Sequence, residues 1–149
     1  MKKISSLLAS LLTLAFAGAT ALAGTDVINI SAFDTMKYSV TTIQVKSGDT
    51  VTVNLKNEGN IPKAAMAHNW VLLNAGVSPD AYARLAANAK DHDYQPPALA
   101  GKVIATIPLL GPQESGKTTF TAPAPGTYPF LCSFPAHEMA GMKGALIVK

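Results

Sequence analysis

The chain has 149 residues, with 12 basic and 9 acidic residues and a formal net charge of +3 at pH 7. This length predicts one domain. Two of the positive charges are Lys2 and Lys3, so the chain from residue 24 onward has 10 basic and 9 acidic residues and a net charge of +1. The sequence has no run of basic residues to bind a phosphate backbone, which argues against a nucleic-acid-binding protein.

The first 23 residues have the pattern of a secretory signal peptide. A pair of lysines precedes an apolar stretch over residues 4–17, and Ala21-Leu22-Ala23 fits an A-x-A cleavage site. We therefore predict a signal peptide over residues 1–23, a mature chain that starts at Gly24, and a periplasmic location. The apolar stretch is too short for a membrane span and no other long apolar run follows, so we expect no membrane span.

From Gly24 onward, short β-branched and alternating runs are separated by Pro, Gly and Asn turns, which is typical of β-strands. The predicted strands are residues 27–30, 41–45, 50–55, 69–73, 103–107, 118–121, 127–131 and 145–148. This spacing predicts an all-β sandwich. One segment differs, because Ser78 resembles an N-cap, Pro79 suits the first helical position, and an Ala-rich run follows. We predict a short inserted helix over residues 80–90.

A loop near the C-terminus carries the candidate metal ligands. It holds the only cysteine, Cys132, with His137 five residues on and Met142 five residues beyond that. A thiolate, an imidazole and a thioether form an incomplete copper set, and His68 is the best candidate for a second imidazole. Together they predict the His₂Cys arrangement with a weak axial Met that defines a blue-copper electron-transfer site. We expect one copper ion per chain.

Each of these residues has an alternative interpretation. Cys132 would otherwise be a buried, inert thiol, since free cysteine is among the most buried residue types. An unpaired cysteine is a liability in an oxidising compartment, however, and a metal would occupy it. His68 would otherwise be a core histidine with its hydrogen bonds satisfied, and His137 a surface histidine. His92 lies in a charged stretch, and we predict that it is not a ligand.

Two further residues are assigned roles beside the ligands. Asn69 follows His68 and is placed to hydrogen-bond to the cysteine loop, which would orient ligands and tune the reduction potential. Its alternative is an ordinary turn-closing Asn. Of the two loop methionines, Met142 is predicted to be axial, while Met139 lies two residues past His137 and is predicted to be a hydrophobic contact residue.

The two motifs resemble a known family. Ala67-His68-Asn69-Trp70-Val71-Leu72, together with the loop from Cys132 to Met142, is similar to the azurins and auracyanins, within the plastocyanin/azurin group of cupredoxins. The resemblance covers nearly all of residues 24–149 and implies a Greek-key β-sandwich with copper near one end. It also implies that electrons pass through the edge of His137 at an apolar patch. Here that patch would consist of Met66, Pro135, Ala136 and Met139.

The chain departs from azurin in four places, one of which is Ala136, where a glycine is common in that loop. Azurin has a glycine before the first histidine, and its carbonyl approaches the metal; the residue here is Ala67, whose carbonyl is a candidate for a weak copper contact. Four residues separate His137 from Met142, as in auracyanins and plastocyanins, whereas azurin has three. The disulfide usual near the N-terminus of azurins has no cysteines to form it.

We predict a one-electron carrier that cycles between Cu(I) and Cu(II) and exchanges electrons with redox proteins, such as cytochromes or a copper or haem reductase or oxidase. We expect a monomer without enzymatic activity. The alternative is a copper-binding or copper-delivery protein, which would favour exposed Met and His clusters. A thiol enzyme is disfavoured, because Cys132 and His137 share one tight loop and no third group orients them.

Overall fold

The structure is a computed structural model that describes residues 22–149, so the predicted signal peptide lies outside the described residues except for its last two positions. Within this part of the chain, nine β-strands and one α-helix form. The strands are β1 Thr25–Phe33, β2 Lys37–Tyr38, β3 Thr42–Val45, β4 Thr50–Asn57, β5 His68–Leu73, β6 Val103–Leu110, β7 Ser115–Thr121, β8 Gly126–Leu131 and β9 Lys143–Val148. The helix α1 spans Pro79–Ala86, and 3₁₀ turns follow at Lys90–His92 and Pro97–Lys102. No helix in residues 22–149 is long and apolar enough to span a bilayer.

The strands form two sheets, with strand orders β2-β1-β4-β7 and β3-β9-β8-β5-β6. Side chains alternate between the two faces of a strand, and β4 shows this plainly, since Val51, Val53 and Leu55 are buried while the residues between them are partly exposed. The main core between the sheets includes Trp70 and Phe130. This architecture confirms the predicted all-β sandwich with one inserted helix.

Strand β5 does not alternate, because all six of its residues are buried. Its inner side chains, including Trp70 and Leu72, belong to the main core. Val71 on its outer face packs in a second apolar cluster that contains Tyr82 and Ala86 of α1. The inserted helix therefore packs on the outer face of the sheet at β8 and the neighbouring β5. A strand that is covered on both faces is expected to be apolar along its length, and β5 is apolar from Trp70 to Leu73.

The helix begins as predicted and ends earlier than predicted. The Ser78 hydroxyl accepts a hydrogen bond from the Ala81 amide at 3.2 Å, so Ser78 is the N-cap. The predicted end at residue 90 was wrong, because α1 stops at Ala86 and the chain then turns back. In that turn the Tyr94 amide donates to the Ala89 carbonyl at 2.9 Å. This reversal brings the following residues against the strand that begins at His68, which a longer helix would prevent.

Each predicted strand is present, with bounds that differ from the prediction by no more than three residues. Strand β2 was missed. It has only two residues, Lys37 and Tyr38, and so shows too little alternation to be read from the sequence.

Candidate metal centre

Three of the four predicted ligands meet at one end of the sandwich. His68 begins β5, Cys132 directly follows β8, and His137 lies in the loop beyond. One donor atom from each residue can be chosen so that all lie within 4.8 Å of one another. The Cys132 Sγ is 3.4 Å from the His137 Nδ1, and the two imidazole ring centroids are 5.0 Å apart. All three side chains are buried.

The meeting follows from the pairing of β5 with β8. These strands are antiparallel neighbours, with Val71 opposite Leu131 and Leu72 opposite Phe130. In an antiparallel pair the start of one strand lies beside the end of the other. The first residue of β5, His68, is therefore brought beside Cys132, the residue that follows β8.

The polar atoms of His68 support a metal at this position. Neither ring nitrogen of this fully buried side chain has a hydrogen-bond partner among the described residues. Leaving a buried polar group unpaired costs about 1–3 kcal/mol, so such groups are rare and need an explanation. This argues against the alternative of a core histidine with satisfied hydrogen bonds. A metal ion would supply the missing partner.

The protonation of both imidazoles suits metal binding. Burial lowers the pKa of His68, although the nearby Asp34 carboxylate opposes this shift. Burial, and then the proximity of His68, lowers the pKa of His137 from 6.5 to about 4. Both rings are therefore neutral at pH 7, which is the form that binds a metal.

The thiol has the opposite requirement. Burial raises the pKa of Cys132 to about 11, while the amides of Asn69 and Phe134 and the Tyr38 hydroxyl offset part of this effect. The metal ligand is the thiolate, so metal binding at pH 7 would release the thiol proton. Two imidazoles and one thiolate are a set that copper favours, whereas magnesium and calcium favour oxygen ligands. The residues present therefore fit copper.

Asn69 and Ser133 join the two ligand-bearing segments. The Ser133 amide donates to the Asn69 Oδ1 at 2.8 Å, and the Asn69 Nδ2 donates to the Ser133 hydroxyl at 2.8 Å. The Asn69 Nδ2 also donates to the Asp93 carbonyl at 3.2 Å, and the Ser133 hydroxyl donates to the Tyr94 carbonyl at 2.7 Å. Asp93 and Tyr94 are both left-handed, with φ of 52° and 56°. The reversal after α1 thus directs two carbonyl groups at this pair.

Met142 is fully buried in the main core. Its amide donates to the His137 carbonyl at 2.9 Å, and its carbonyl accepts from the Cys132 amide at 3.0 Å. The backbone of Met142 is therefore hydrogen-bonded to the backbones of His137 and Cys132. The assignment of its thioether as the axial group stays a prediction.

The predicted contact patch is at least partly accessible. Met139 is 74% exposed and Ala136 is exposed, while Met66 and Pro135 are intermediate. Ala67 is buried, and the role of its carbonyl stays a prediction. His92 is exposed in a 3₁₀ turn and does not belong to the cluster of His68, Cys132 and His137.

Sequence reasoning missed two features near the site. The Tyr38 hydroxyl donates to the Asn69 carbonyl, and the Lys143 ammonium pairs with the Glu138 carboxylate at 2.6 Å. Tyr38 lies on the unpredicted strand β2. Glu138 lies in the loop and Lys143 begins β9, and their separation of five residues predicts no contact.

The fold and the donor set define a mononuclear copper domain of the cupredoxin type. A family model described as "Copper binding proteins, plastocyanin/azurin family" matches residues 25–149. The chain belongs to this family, and it is a blue copper protein of the azurin/auracyanin type, with His68, Cys132 and His137 positioned to bind one metal ion.

Relatives and solved structures agree with this assignment. Auracyanin-B of Chloroflexus aurantiacus is 37% identical over 119 residues, which are 79% of this chain and 49% of that protein. The chain thus spans about half the length of auracyanin-B. Azurin of Pseudomonas aeruginosa is 36% identical over 146 residues, covering 95% of this chain and 97% of azurin. The structure of auracyanin A, a "blue" copper protein of Chloroflexus aurantiacus, has a TM-score of 0.75 and 32% identity, and the match covers 85% of this chain and 100% of that chain.

Proposed function

We propose that this chain is a periplasmic electron carrier that passes single electrons between redox proteins. Copper, when bound, would supply the Cu(I)/Cu(II) couple. The observation that carries the proposal is the buried convergence of His68, Cys132 and His137 within 4.8 Å, with both nitrogens of His68 unpaired. Cytochromes, or a copper or haem reductase or oxidase, are the expected partners.

Burial and rigidity favour electron transfer over the alternatives. The three donors are 0–2% exposed, so a substrate has no approach to an ion among them. The bonds between Asn69 and Ser133 hold the two ligand-bearing segments together, which limits the reorganisation that a change of oxidation state would require. Delivery of copper to another protein would instead require ligands that exchange readily. We therefore favour the carrier over a copper-delivery protein.

The proposed contact surface is the apolar patch of Met66, Pro135, Ala136 and Met139. His137 is adjacent in the chain to Ala136 and lies two residues from Pro135 and Met139, so it is the histidine ligand nearest in sequence to this surface. Electron-transfer encounters use small, weakly held interfaces. A patch of four residues next to one ligand suits such an encounter.

The region around Gly24 supports the proposed removal of residues 1–23. The Gly24 nitrogen lies 2.6 Å from Oδ1 of the buried Asp49, and its carbonyl accepts from the Thr50 amide at 2.9 Å. A Cβ at position 24 would lie 3.0 Å from that Asp49 oxygen, which is closer than most Cβ contacts. Cleavage after Ala23 would place a new ammonium group against this carboxylate and strengthen the bond. N-terminal sequencing of the protein from a periplasmic extract should begin at Gly24; recovery only with residues 1–23 attached would contradict the location.

The function is tested by copper loading of the wild type and the Cys132→Ser variant. The wild type should show an intense visible absorption from thiolate-to-copper charge transfer. Serine supplies no thiolate, so the variant should lose the band while its far-UV circular dichroism stays that of the β-sandwich. The matched control, Met139→Leu, should keep the band. A colourless wild type, or a band that survives in Cys132→Ser, would overturn the proposal.

Copper retention separates the carrier from the delivery protein. Loaded wild-type protein should keep its band during prolonged incubation with a copper chelator, because the buried ligands do not open. Rapid transfer of copper to the chelator would favour delivery.

A further inference from the structure

We propose that Glu138 and Lys143 form a positioning clamp that fixes the chain between His137 and Met142. The term "loop clamp" below means this ion pair. The inference rests on the proposed function, in which His137 and Met142 are copper ligands. Neither clamp residue would bind copper itself.

The burial of the Glu138 carboxylate is the first observation. Its side chain is only 3% exposed, although the adjacent Met139 is 74% exposed. Its Oε1 lies 2.6 Å from the Lys143 Nζ. Removing a carboxylate from water is costly unless the charge is paired. A glutamate whose only role is solubility would be expected to have an exposed side chain, and the exposure of the neighbouring Met139 shows that this part of the loop reaches solvent.

The loop clamp differs from the other ion pairs in residues 22–149. Lys63 and Glu114 are 3.6 Å apart and are both at least half exposed. Asp80 and Arg84 are one turn apart on α1 and are both exposed. Exposed pairs of this kind contribute little to stability. Only the loop clamp among these three pairs has a buried partner.

The place of the loop clamp in the chain indicates what it holds. Glu138 directly follows His137, and Lys143 directly follows Met142. The ion pair therefore joins the two ends of the interval between the predicted ligands. Inside this interval the Gly141 amide donates to the Glu138 carbonyl and the Met142 amide donates to the His137 carbonyl, both at 2.9 Å. The backbone and the ion pair thus close the same turn.

A third group connects this turn to the sandwich. The Lys37 ammonium, on β2, donates to the Ala140 carbonyl. A Cβ on Gly141 would lie 2.8 Å from the Lys37 Nζ, so this ammonium occupies the space beside the glycine. Lys37 therefore anchors the middle of the turn, and the loop clamp anchors its two ends.

Loss of the loop clamp should disturb the ligand set. In Lys143→Met the unpaired Glu138 carboxylate would move toward water, and in Glu138→Gln the ionic bond across the ends of the turn would be lost. Either change would open the turn that ends at Met142. The Met142 carbonyl accepts from the Cys132 amide at 3.0 Å, so movement of Met142 would also reach the cysteine. The expected result is a change in the environment of the ligands without loss of the sandwich.

The test compares Glu138→Gln, Lys143→Met and the double variant with Lys63→Met, which removes a lysine of similar exposure whose carboxylate partner is itself exposed. In metal-free protein, NMR should show amide exchange at Ala140, Gly141 and Met142 that is about tenfold faster in each clamp variant, because local opening becomes easier. The double variant should exchange no faster than Lys143→Met, since both lack the pair and the double variant no longer leaves a buried unpaired carboxylate. Lys63→Met should leave these rates unchanged. Lys143→Arg, which can keep the pair, should stay within about twofold of wild type.

In the copper-loaded protein, both single variants should shift the position or intensity of the thiolate-to-copper band. A purely stabilising pair would lower resistance to urea while leaving the band and the three exchange rates unchanged, and that result would overturn the inference. A band that moves in Met142→Leu but not in either clamp variant would refute the loop clamp and leave the proposed function intact. Fast exchange in the clamp variants of a protein that never turns blue would refute the function and support the loop clamp as a device that closes the turn.

Discussion

Strand β5 and the loop of residues 132–142 both carry metal ligands, but they hold them in different ways. All six residues of β5 are buried, and it lies between β8 and β6 with α1 on its outer face. The loop mixes buried and exposed residues, and it needs left-handed backbone at Ala136 and Gly141, with φ of 69° and 92°. His68 is thus held by the packing of the whole sandwich, and His137 by short-range hydrogen bonds.

The two regions should therefore govern different properties: β5 the stability of the fold, and the loop the properties of the metal site. A change in β5 alters packing on both faces of a central strand, so its effect should appear in the free energy of unfolding. A change in the loop that leaves the protonation of His137 unaltered keeps the sheets intact, so its effect should appear in the properties of the site. Functional loops on rigid scaffolds commonly show this division.

The largest expected effect is a loss of stability in acid. It tests whether the histidine of the loop, His137, and the histidine of β5, His68, are both held in the neutral form. The pKa of His137 is lowered from 6.5 to about 4 by burial and by His68. Between these two pH values the imidazole is protonated in the unfolded chain and neutral in the folded chain. Metal-free protein should therefore lose about 3 kcal/mol of unfolding free energy as the pH falls from 6.5 to 4. The lowered pKa of His68 acts in the same direction.

Urea unfolding of the metal-free protein at pH 7 and pH 4.5 measures this loss. His137→Leu serves as the comparison, and most of the His137 contribution should be absent from it. An identical pH dependence in the variant and the wild type would show that other groups cause the acid sensitivity.

The second effect distinguishes the strand histidine from the loop histidine. His68 has two unpaired buried nitrogens, so His68→Leu should raise the unfolding free energy of metal-free protein by about 1–2 kcal/mol at pH 7. His137→Leu should gain less, because the His137 Nδ1 already has the Cys132 Sγ at 3.4 Å. Both variants should lose the blue band. A less stable His68→Leu protein would show that the imidazole contributes packing that leucine cannot replace.

A smaller effect separates the two loop methionines. Met142→Leu removes a weak donor to Cu(II), so the reduction potential should rise while copper is retained. Met139→Leu should leave the potential unchanged, because Met139 is 74% exposed and points away from the core. Voltammetry of the two variants decides the assignment. A shift of the reduction potential in Met139→Leu alone would show that Met142 is not the axial ligand.

The smallest change in the site is expected from a charge at the contact patch. Met139→Lys should slow electron self-exchange by roughly tenfold at low salt, because two like charges meet when two copies approach. The visible spectrum should be unchanged. Val27→Lys, another exposed apolar residue at 59% exposure on β1, is the matched control and should exchange at the wild-type rate. NMR line broadening in mixtures of the two oxidation states measures the rate, and an unchanged rate in Met139→Lys would mean that electrons leave by another face.

Much of the fold and most of the ligand set follow from local sequence signals. The alternation of β4 and the turn residues between runs predict strands without knowledge of their partners. The spacing of Cys132, His137 and Met142 predicts a ligand loop because all three share one short segment. Ser78 and Pro79 predict the start of α1, since capping depends on neighbouring residues alone.

Only the tertiary structure decided which distant groups meet. His68 reaches Cys132 because β5 pairs with β8, and the continuous burial of β5 depends on where α1 packs. The end of α1 at Ala86 was not predictable, since the Ala-rich run favours a longer helix and the bonds of Asn69 and Ser133 to the returning chain oppose it. The pairing of Glu138 with Lys143 likewise depends on how the loop turns. Local propensity acts over a few residues, whereas burial and hydrogen-bond partners are set by contacts between segments far apart in the chain.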